Sequence, residues 1–137
     1  MSEIKPPVEL ELAWDGDLRF KGWSGDLELT LDSASQAGLG PMQLLAFGLA
    51  GCMAVDVVHI LTKGRHPFTG VRARLTGRRA TEEPRRFVEV DLHFEVTGGV
   101  APQHVERAIA LSREKYCSVW HSLRQDIAFT CTSDVVA

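Results

Sequence analysis

The segment that decides the fold runs from Gly40 to Gly64 and has the sequence GPMQLLAFGLAGCMAVDVVHILTKG. Pro41 suits the first turn of a helix, because the N–H that proline lacks would have had no partner there. Gly64 is expected at the C′ position that ends the helix. The segment therefore predicts a helix from Pro41 to about Lys63. Since it is apolar nearly all round, this helix must be covered on most sides, either by the middle of the domain or by a partner chain.

The same helix is long and apolar enough to raise the question of a membrane span. It contains Gln43, Asp56 and His59, and a central Asp costs about 2.5–3.5 kcal/mol on membrane-insertion scales. A soluble helix can place such a side chain at an end or an interface. We therefore interpret the segment as a long central buried helix and expect no membrane association.

Short segments with the alternation of β-strands lie on both sides of this helix. Three precede it, at Glu9–Trp14, Leu18–Trp23 and Leu27–Leu31, and the turns between them predict a meander. The elements expected after it are an antiparallel hairpin of Phe68–Leu75 and Phe87–Val96, a helix opening at Ala101-Pro102, a bend within residues 112–116, a helical stretch Tyr116–Leu123 and a closing strand Ile127–Val135. This order predicts an α+β fold with a mostly antiparallel sheet, in a single domain over residues 1–137.

The composition is that of an ordinary globular domain. The 137 residues are 45% apolar and 24% charged, with a formal net charge of −3. Because 15 Lys and Arg are interspersed with 18 Asp and Glu, no basic field attracts a phosphate backbone, and we expect no nucleic-acid partner. Three cysteines without a CxxC pair argue against a disulfide scaffold. Residues 1–10 lack the apolar segment of a secretion signal, so we expect the protein in the cytoplasm.

The cysteines are the residues most suited to chemistry. Cys52 follows Gly51 in the apolar helix, and a glycine there suggests the close approach of a helix or ligand; the thiol itself is either buried and inert or reactive. Cys117 lies beside Lys115 at the expected start of a helical turn, and both features lower a thiol pKa. If Lys115 points to water, Cys117 is structural instead. Cys131, in the closing strand without a charged neighbour in the sequence, is interpreted as structural.

A metal site is the competing interpretation of the same residues. Cys52, Asp56 and His59 share a helix face, and Cys117 and His121 are one turn apart. All are zinc-ligand types, but any polar stripe produces this spacing and no short chelating pair anchors the set. We therefore expect no metal and no cofactor.

Two segments together resemble the OsmC/Ohr family of small thiol-dependent peroxide-handling proteins. They are Gly40–Leu45 continuing to Gly51–Val58, and Leu111–Val119 with the sequence LSREKYCSV. Residues 56–65, DVVHILTKGR, are similar to the YhfA-like branch of that family. The resemblance implies an OsmC-like fold and an intertwined homodimer, with the two cysteines near the subunit interface.

The resemblance also implies an activity, the thiol-dependent reduction of organic hydroperoxides. Cys52 would correspond to the peroxidatic cysteine and Cys117 to the resolving cysteine. An external dithiol, such as a lipoyl protein, would be the reductant, and a pocket lined by side chains such as Leu45, Phe47 and Leu49 would take the apolar tail of the peroxide.

The sequence departs from the family pattern near the start of the helix. In the active peroxidases an Arg stabilises the thiolate and pairs with a Glu just after the proline. Here residues 27–40 contain neither Arg nor Lys, and Gln43 stands at the Glu position. An amide still hydrogen-bonds but forms no ion pair, and we expect Gln43 to contact substrate. The alternative function is a non-enzymatic OsmC-fold dimer that binds a small hydrophobic ligand or partner, with inert or only redox-sensitive cysteines.

Overall fold

The computed structural model describes residues 4–137, and the chain divides into two compact units, one ending at Leu45 and one spanning Ala46–Ala137. The first unit contains a three-stranded antiparallel meander, ordered β1 (Glu11–Trp14), β2 (Arg19–Ser24) and β3 (Leu27–Asp32). Gly25, with φ of +59°, begins the two-residue turn between β2 and β3. Two-residue hairpin turns need a positive φ at this position, and glycine adopts it readily.

Asp32 folds the connection that follows β3. Its side chain is buried, and its carboxylate accepts the backbone N–H groups of Ala37 and Ala34 at 2.9 Å and of Gln36 at 3.2 Å. These donors hold the pKa of Asp32 below its ordinary value. The connection is therefore built around one ionised carboxylate.

The second unit contains a three-stranded sheet, the greater part of the long helix α1 (Pro41–Lys63) and the helical segments between its second and third strands. Its strands are β4 (Gly70–Arg79), β5 (Phe87–Thr97) and β6 (Ala128–Val136), in the order β4-β5-β6, with β4 antiparallel and β6 parallel to β5. Between β5 and β6 the chain passes through α2 (Pro102–Leu111), a π-helical turn (Ser112–Tyr116) and α3 (Ser118–His121). This helical crossover returns the chain in the direction of β5, which makes the pairing parallel.

The predicted α+β class with mostly antiparallel strand pairing is confirmed. The division of the strands into two sheets and the parallel pairing of β6 were not evident from the sequence. The interpretation of residues 1–137 as a single domain stays a prediction.

Helix α1 (Pro41–Lys63) has the predicted boundaries. Its buried side chains recur every four residues, at Leu49, Met53, Val57 and Leu61, and pack in one core cluster with residues of the sheet and of α2. By contrast, Phe47 and Val55 keep 65% and 67% of their surface exposed. The chain on its own therefore buries one stripe of the helix and leaves another apolar face uncovered.

Among the described residues, α1 is the helix that is long and apolar enough to cross a membrane, with a mean hydropathy of 2.1 in its most apolar window. Length and composition alone are weak evidence, since core helices of soluble proteins have the same properties. The packing of Met53, Val57 and Leu61 into a core with a sheet favours the core-helix interpretation.

The end of α1 differs from the sequence prediction. His66 N–H bonds Leu61 C=O and Arg65 N–H bonds Thr62 C=O, both at 3.0 Å, and the left-handed residue is Arg65, with φ of +58°. This is a Schellman motif whose C′ residue is Arg65, so the placement of Gly64 at C′ was wrong. A Cβ at Gly64 would lie 2.7 Å from the His66 ring, so a larger residue there would have to displace that ring.

We expect Arg65→Gly to stabilise the protein. An L side chain in the left-handed region costs about 1–2 kcal/mol and the added freedom of glycine when unfolded returns part of this, so the free energy of unfolding should rise by about 0.5–1 kcal/mol. Urea denaturation measures the change. Arg65→Ala, which removes the guanidinium but keeps the Cβ, should give no gain; an equal gain in both variants would assign the effect to charge.

Candidate active site

The second unit brings Cys52 and Cys117 close together. Cys52 lies in the middle of α1, and Cys117 lies between the π turn and α3. The two thiols are close enough for each to shift the pKa of the other, and the Ser118 hydroxyl oxygen is 3.8 Å from Cys52 Sγ. Two thiols far apart in sequence are thus neighbours, which is the geometry that a two-cysteine redox cycle requires.

The π turn sets the position of Cys117. The Cys117 backbone N–H donates to Ser112 C=O at 2.7 Å. This hydrogen bond closes the wider ring that defines a π turn. Cys117 itself has extended backbone angles and begins α3, where its Sγ accepts the Trp120 N–H at 3.3 Å. The bend that the sequence predicted over residues 112–116 is this π turn. Such turns occur frequently at functional sites.

Cys52 has the lower pKa of the pair. Burial opposes its thiolate most, but the backbone N–H of Val119 and the side chains of Cys117 and Ser118 act against burial as hydrogen-bond donors. The net result is that the pKa of Cys52 lies below its ordinary value. Among the described residues, the groups that shift this pKa most include no Arg or Lys. Hydrogen bonds therefore favour the thiolate where the family pattern has a cation.

Cys117 is held as a neutral thiol. Its side chain is fully buried, and this burial raises the pKa of Cys117 to about 11, even though the Trp120 N–H acts in the opposite direction. Lys115, which the sequence offered as an activating cation, places its Nζ 5.3 Å from the centre of the exposed Tyr116 ring. A reactive thiolate at Cys117 in the resting state is therefore disfavoured.

Asp56 lies one helical turn beyond Cys52, and its negative charge raises the Cys52 pKa. The fully buried Ser112 donates its hydroxyl to Asp56 Oδ2 at 2.6 Å. This contact joins α1 to the first residue of the π turn.

The surroundings of Cys131 correct one expectation. The sequence showed no charged residue near it, but the positive charge of Arg113, in the π turn, lies close enough to act on the thiol and lower its pKa. Burial nevertheless dominates and raises the pKa of Cys131. The Arg113 guanidinium also lies 4.8 Å from the centre of the Phe129 ring. Half-buried and packed against the core, Cys131 fits the structural interpretation.

Gln43 lies in the first unit, at the start of α1. Its Oε1 accepts the Gly40 N–H at 2.8 Å and the Ser35 hydroxyl at 3.1 Å. A Gln that bonds back to the residue before the helix forms half of a capping box. The amide oxygen therefore caps the helix, and contact of Gln43 with substrate stays a prediction.

Sequence analysis missed the residues that support the two thiols. Ser118 and Val119 supply donors to Cys52, and Ser112 bonds Asp56. The one available signal was a serine directly after Cys117 at a helix start, where N–H groups lack partners within the helix. No local pattern links Ser112 to Asp56.

The alternative metal set does not assemble. Within residues 4–137, no group of three or more His, Cys, Asp or Glu side chains is placed to hold a metal ion. Asp56 bonds Ser112 instead, and His121 Nε2 lies 3.0 Å from the Arg113 carbonyl oxygen.

Comparison with known proteins identifies the class to which this fold and cysteine pair belong. A family model described as OsmC-like protein matches residues 32–132. The chain belongs to the OsmC-like family, as its sequence segments suggested. Protein YhfA of Escherichia coli strain K12 is 37% identical over 133 residues, which cover 95% of this chain and 99% of that protein.

Solved structures confirm the OsmC-like fold. A hypothetical protein from Aquifex aeolicus VF5 has a TM-score of 0.89 at 30% identity, and the match covers 96% of this chain and 97% of that one. An organic hydroperoxide resistance protein OsmC from Legionella pneumophila has a TM-score of 0.74 at 18% identity, with 97% of this chain and 100% of that one covered. The second likeness is one of fold alone.

We expect Asp56→Asn to make Cys52 more reactive. The amide keeps an oxygen that accepts the Ser112 hydroxyl but removes the charge that opposes the thiolate, so the pH midpoint of Cys52 alkylation should move down. Iodoacetamide labelling at several pH values, read by peptide mass mapping, measures this midpoint. Asp126→Asn, whose carboxylate pairs with Arg124, is the matched control; an equal shift in both variants would show a general charge effect.

Proposed function

We propose that this protein reduces organic hydroperoxides, with Cys52 as the attacking thiolate and Cys117 as the resolving thiol. The observation that carries this proposal is the unequal setting of two neighbouring thiols: Cys52 is partly exposed with the Ser118 hydroxyl 3.8 Å from its sulfur, whereas Cys117 is fully buried. Hydrogen-bond donors accordingly outweigh burial and lower the pKa of Cys52, while burial raises the pKa of Cys117. A thiolate in contact with a protonated thiol is the starting state of a two-cysteine cycle.

The proposed reaction balances in two steps. The Cys52 thiolate attacks the terminal oxygen of the hydroperoxide, the O–O bond breaks, and the alkoxide leaves as an alcohol after taking a proton. Cys52 is then a sulfenic acid. Cys117 attacks its sulfur, an S–S bond forms, and the hydroxyl leaves with the Cys117 proton as water. The Cys117 proton stays available for this second step because the resting thiol is protonated.

An external dithiol closes the cycle. Thiol–disulfide exchange passes two electrons and two protons to the Cys52–Cys117 disulfide and leaves the donor oxidised. We place the cycle in the cytoplasm, where thiols are kept reduced. No metal or organic cofactor is needed for these steps.

The substrate's apolar part is proposed to meet the uncovered side of α1. Phe47 is largely exposed there, whereas Leu49, also expected from the sequence to line the pocket, is buried in the core. We propose that Gln43 contacts the substrate through its amide nitrogen, since its oxygen caps the helix.

A homodimer is proposed from the uncovered face of α1. In the second unit this face presents Phe47, Val55 and Val58, together with Gly48 and Gly51, where an added Cβ would meet nothing within 4 Å. Gly51 predicted the close approach of another group, and that space is open in the single chain. Exposed apolar surface on such a helix is typical of a protein interface, and small residues permit close approach.

Reduced protein is expected to consume cumene hydroperoxide much faster than free cysteine does. Cys52→Ser should lower the rate to that of a free thiol. Cys117→Ser should react once and stop as the Cys52 sulfenic acid, which dimedone traps. Stopped-flow kinetics with mass spectrometry measures both results.

Cys131→Ser is the matched control and should keep full turnover. No reaction of the wild-type protein above that of free cysteine would contradict the proposal. It would favour the non-enzymatic alternative, for which the first unit offers an apolar cavity of about 260 Å³ that includes Leu12, Trp23 and Leu29 in its lining.

Val55→Asp is expected to shift the protein from dimer to monomer, because a charge in a buried apolar interface has no partner. Sedimentation velocity at micromolar concentration measures the change. Val8→Asp, at a position that is 89% exposed, makes the same substitution outside the α1 sequence and should leave the dimer intact. A monomeric wild-type protein would contradict the dimer.

A further inference from the structure

Ser112 connects the two elements that carry the cysteines. Its hydroxyl donates to Asp56 Oδ2 at 2.6 Å, on α1 one turn beyond Cys52. Its carbonyl accepts the Cys117 N–H at 2.7 Å, across the π turn. One residue thus bonds both to the helix of the first thiol and to the backbone of the second.

Every polar group of Ser112 is used, and the residue is fully buried. Its N–H donates to the carbonyls of Ala108 and Ile109 at the end of α2, which anchors it to that helix. Loss of the hydroxyl would leave the half-buried Asp56 carboxylate without this donor, and a hydrogen bond to a charged group contributes more than a neutral one. The hydrogen bond from Ser112 to Asp56 therefore attaches the π turn firmly to α1.

We infer that Ser112 is a positioning residue for the cysteine pair, which through Asp56 holds the π turn against α1 and so fixes the distance of Cys117 from Cys52. This inference rests on the proposed function, because its consequence is the ease with which the two thiols form a disulfide. A disulfide needs a narrow range of Cα and Cβ separations. A π turn released from α1 would populate that range less often.

Asp56 has two separable properties in this arrangement. Its carboxylate oxygen is the acceptor that anchors Ser112, and its charge disfavours the Cys52 thiolate. Asp56→Asn keeps an acceptor and removes the charge, whereas Ser112→Ala removes the contact and keeps the charge. The two variants therefore distinguish position from electrostatics.

The test is the equilibrium of the Cys52–Cys117 disulfide with reduced and oxidised glutathione, measured on the full chain by alkylation and mass mapping. Ser112→Ala should lower the equilibrium constant for disulfide formation about tenfold, which is about 30 mV for a two-electron couple. Asp56→Asn should change it by less than about threefold, while moving the pH midpoint of Cys52 alkylation. A purely structural loss would destabilise the reduced and oxidised forms equally and leave the potential unchanged.

If Ser112→Ala fails to fold, Asp56→Ala replaces it, since that variant removes the acceptor from the other side of the contact. Asp56→Ala should then show the tenfold loss that Asp56→Asn does not. A disulfide of equal stability in the wild-type protein and in the variants that lack the contact would overturn this inference alone. A wild-type protein that forms no Cys52–Cys117 disulfide would overturn both this inference and the proposed function.

Discussion

The π turn at Ser112–Tyr116 is the constraint on which the site depends. If α2 continued as a regular α-helix, the Cys117 side chain would point in a different direction, because each residue rotates a helix by about a quarter of a turn. The wider turn instead ends at Cys117, whose extended backbone starts α3 and turns its side chain into the core. The thiol then meets Cys52 and also receives the Trp120 N–H.

Burial and hydrogen bonding shift the pKa values of the two chemically identical thiols in opposite directions. Both thiols lose solvent, which opposes a thiolate at each, but the donors at the start of α3 converge on Cys52. The family's active peroxidases use an Arg for the same purpose. Hydrogen-bond donors stabilise a thiolate without bringing a counter-charge, so a chain with Gln43 in place of the usual Glu retains a physical means of activation.

Helix α1 begins in the first unit and contributes one buried face to the core of the second. Its stripe of Leu49, Met53, Val57 and Leu61 completes the core of the second unit. Its other face remains apolar and exposed around Val55. Gly48 and Gly51 place no side chain on that face, which leaves open space there. Because α1 has two apolar faces and the single chain covers only one of them, a second chain is the natural cover for the other. The proposed dimer would then be formed by the same helix that carries Cys52.

The sequence by itself determined the limits of α1, the α+β class and the bend after α2, because these depend on periodicity, proline and local composition. The two cysteine segments were identified by their resemblance to the OsmC/Ohr family. It misplaced the αL residue at the end of α1, since Arg65, and not Gly64, takes the positive φ. Only the tertiary structure decided which thiol has the lower pKa, that Arg113 reaches Cys131 and that Ser112 bonds Asp56. Those properties depend on burial and on contacts between residues far apart in the chain, which no local pattern records.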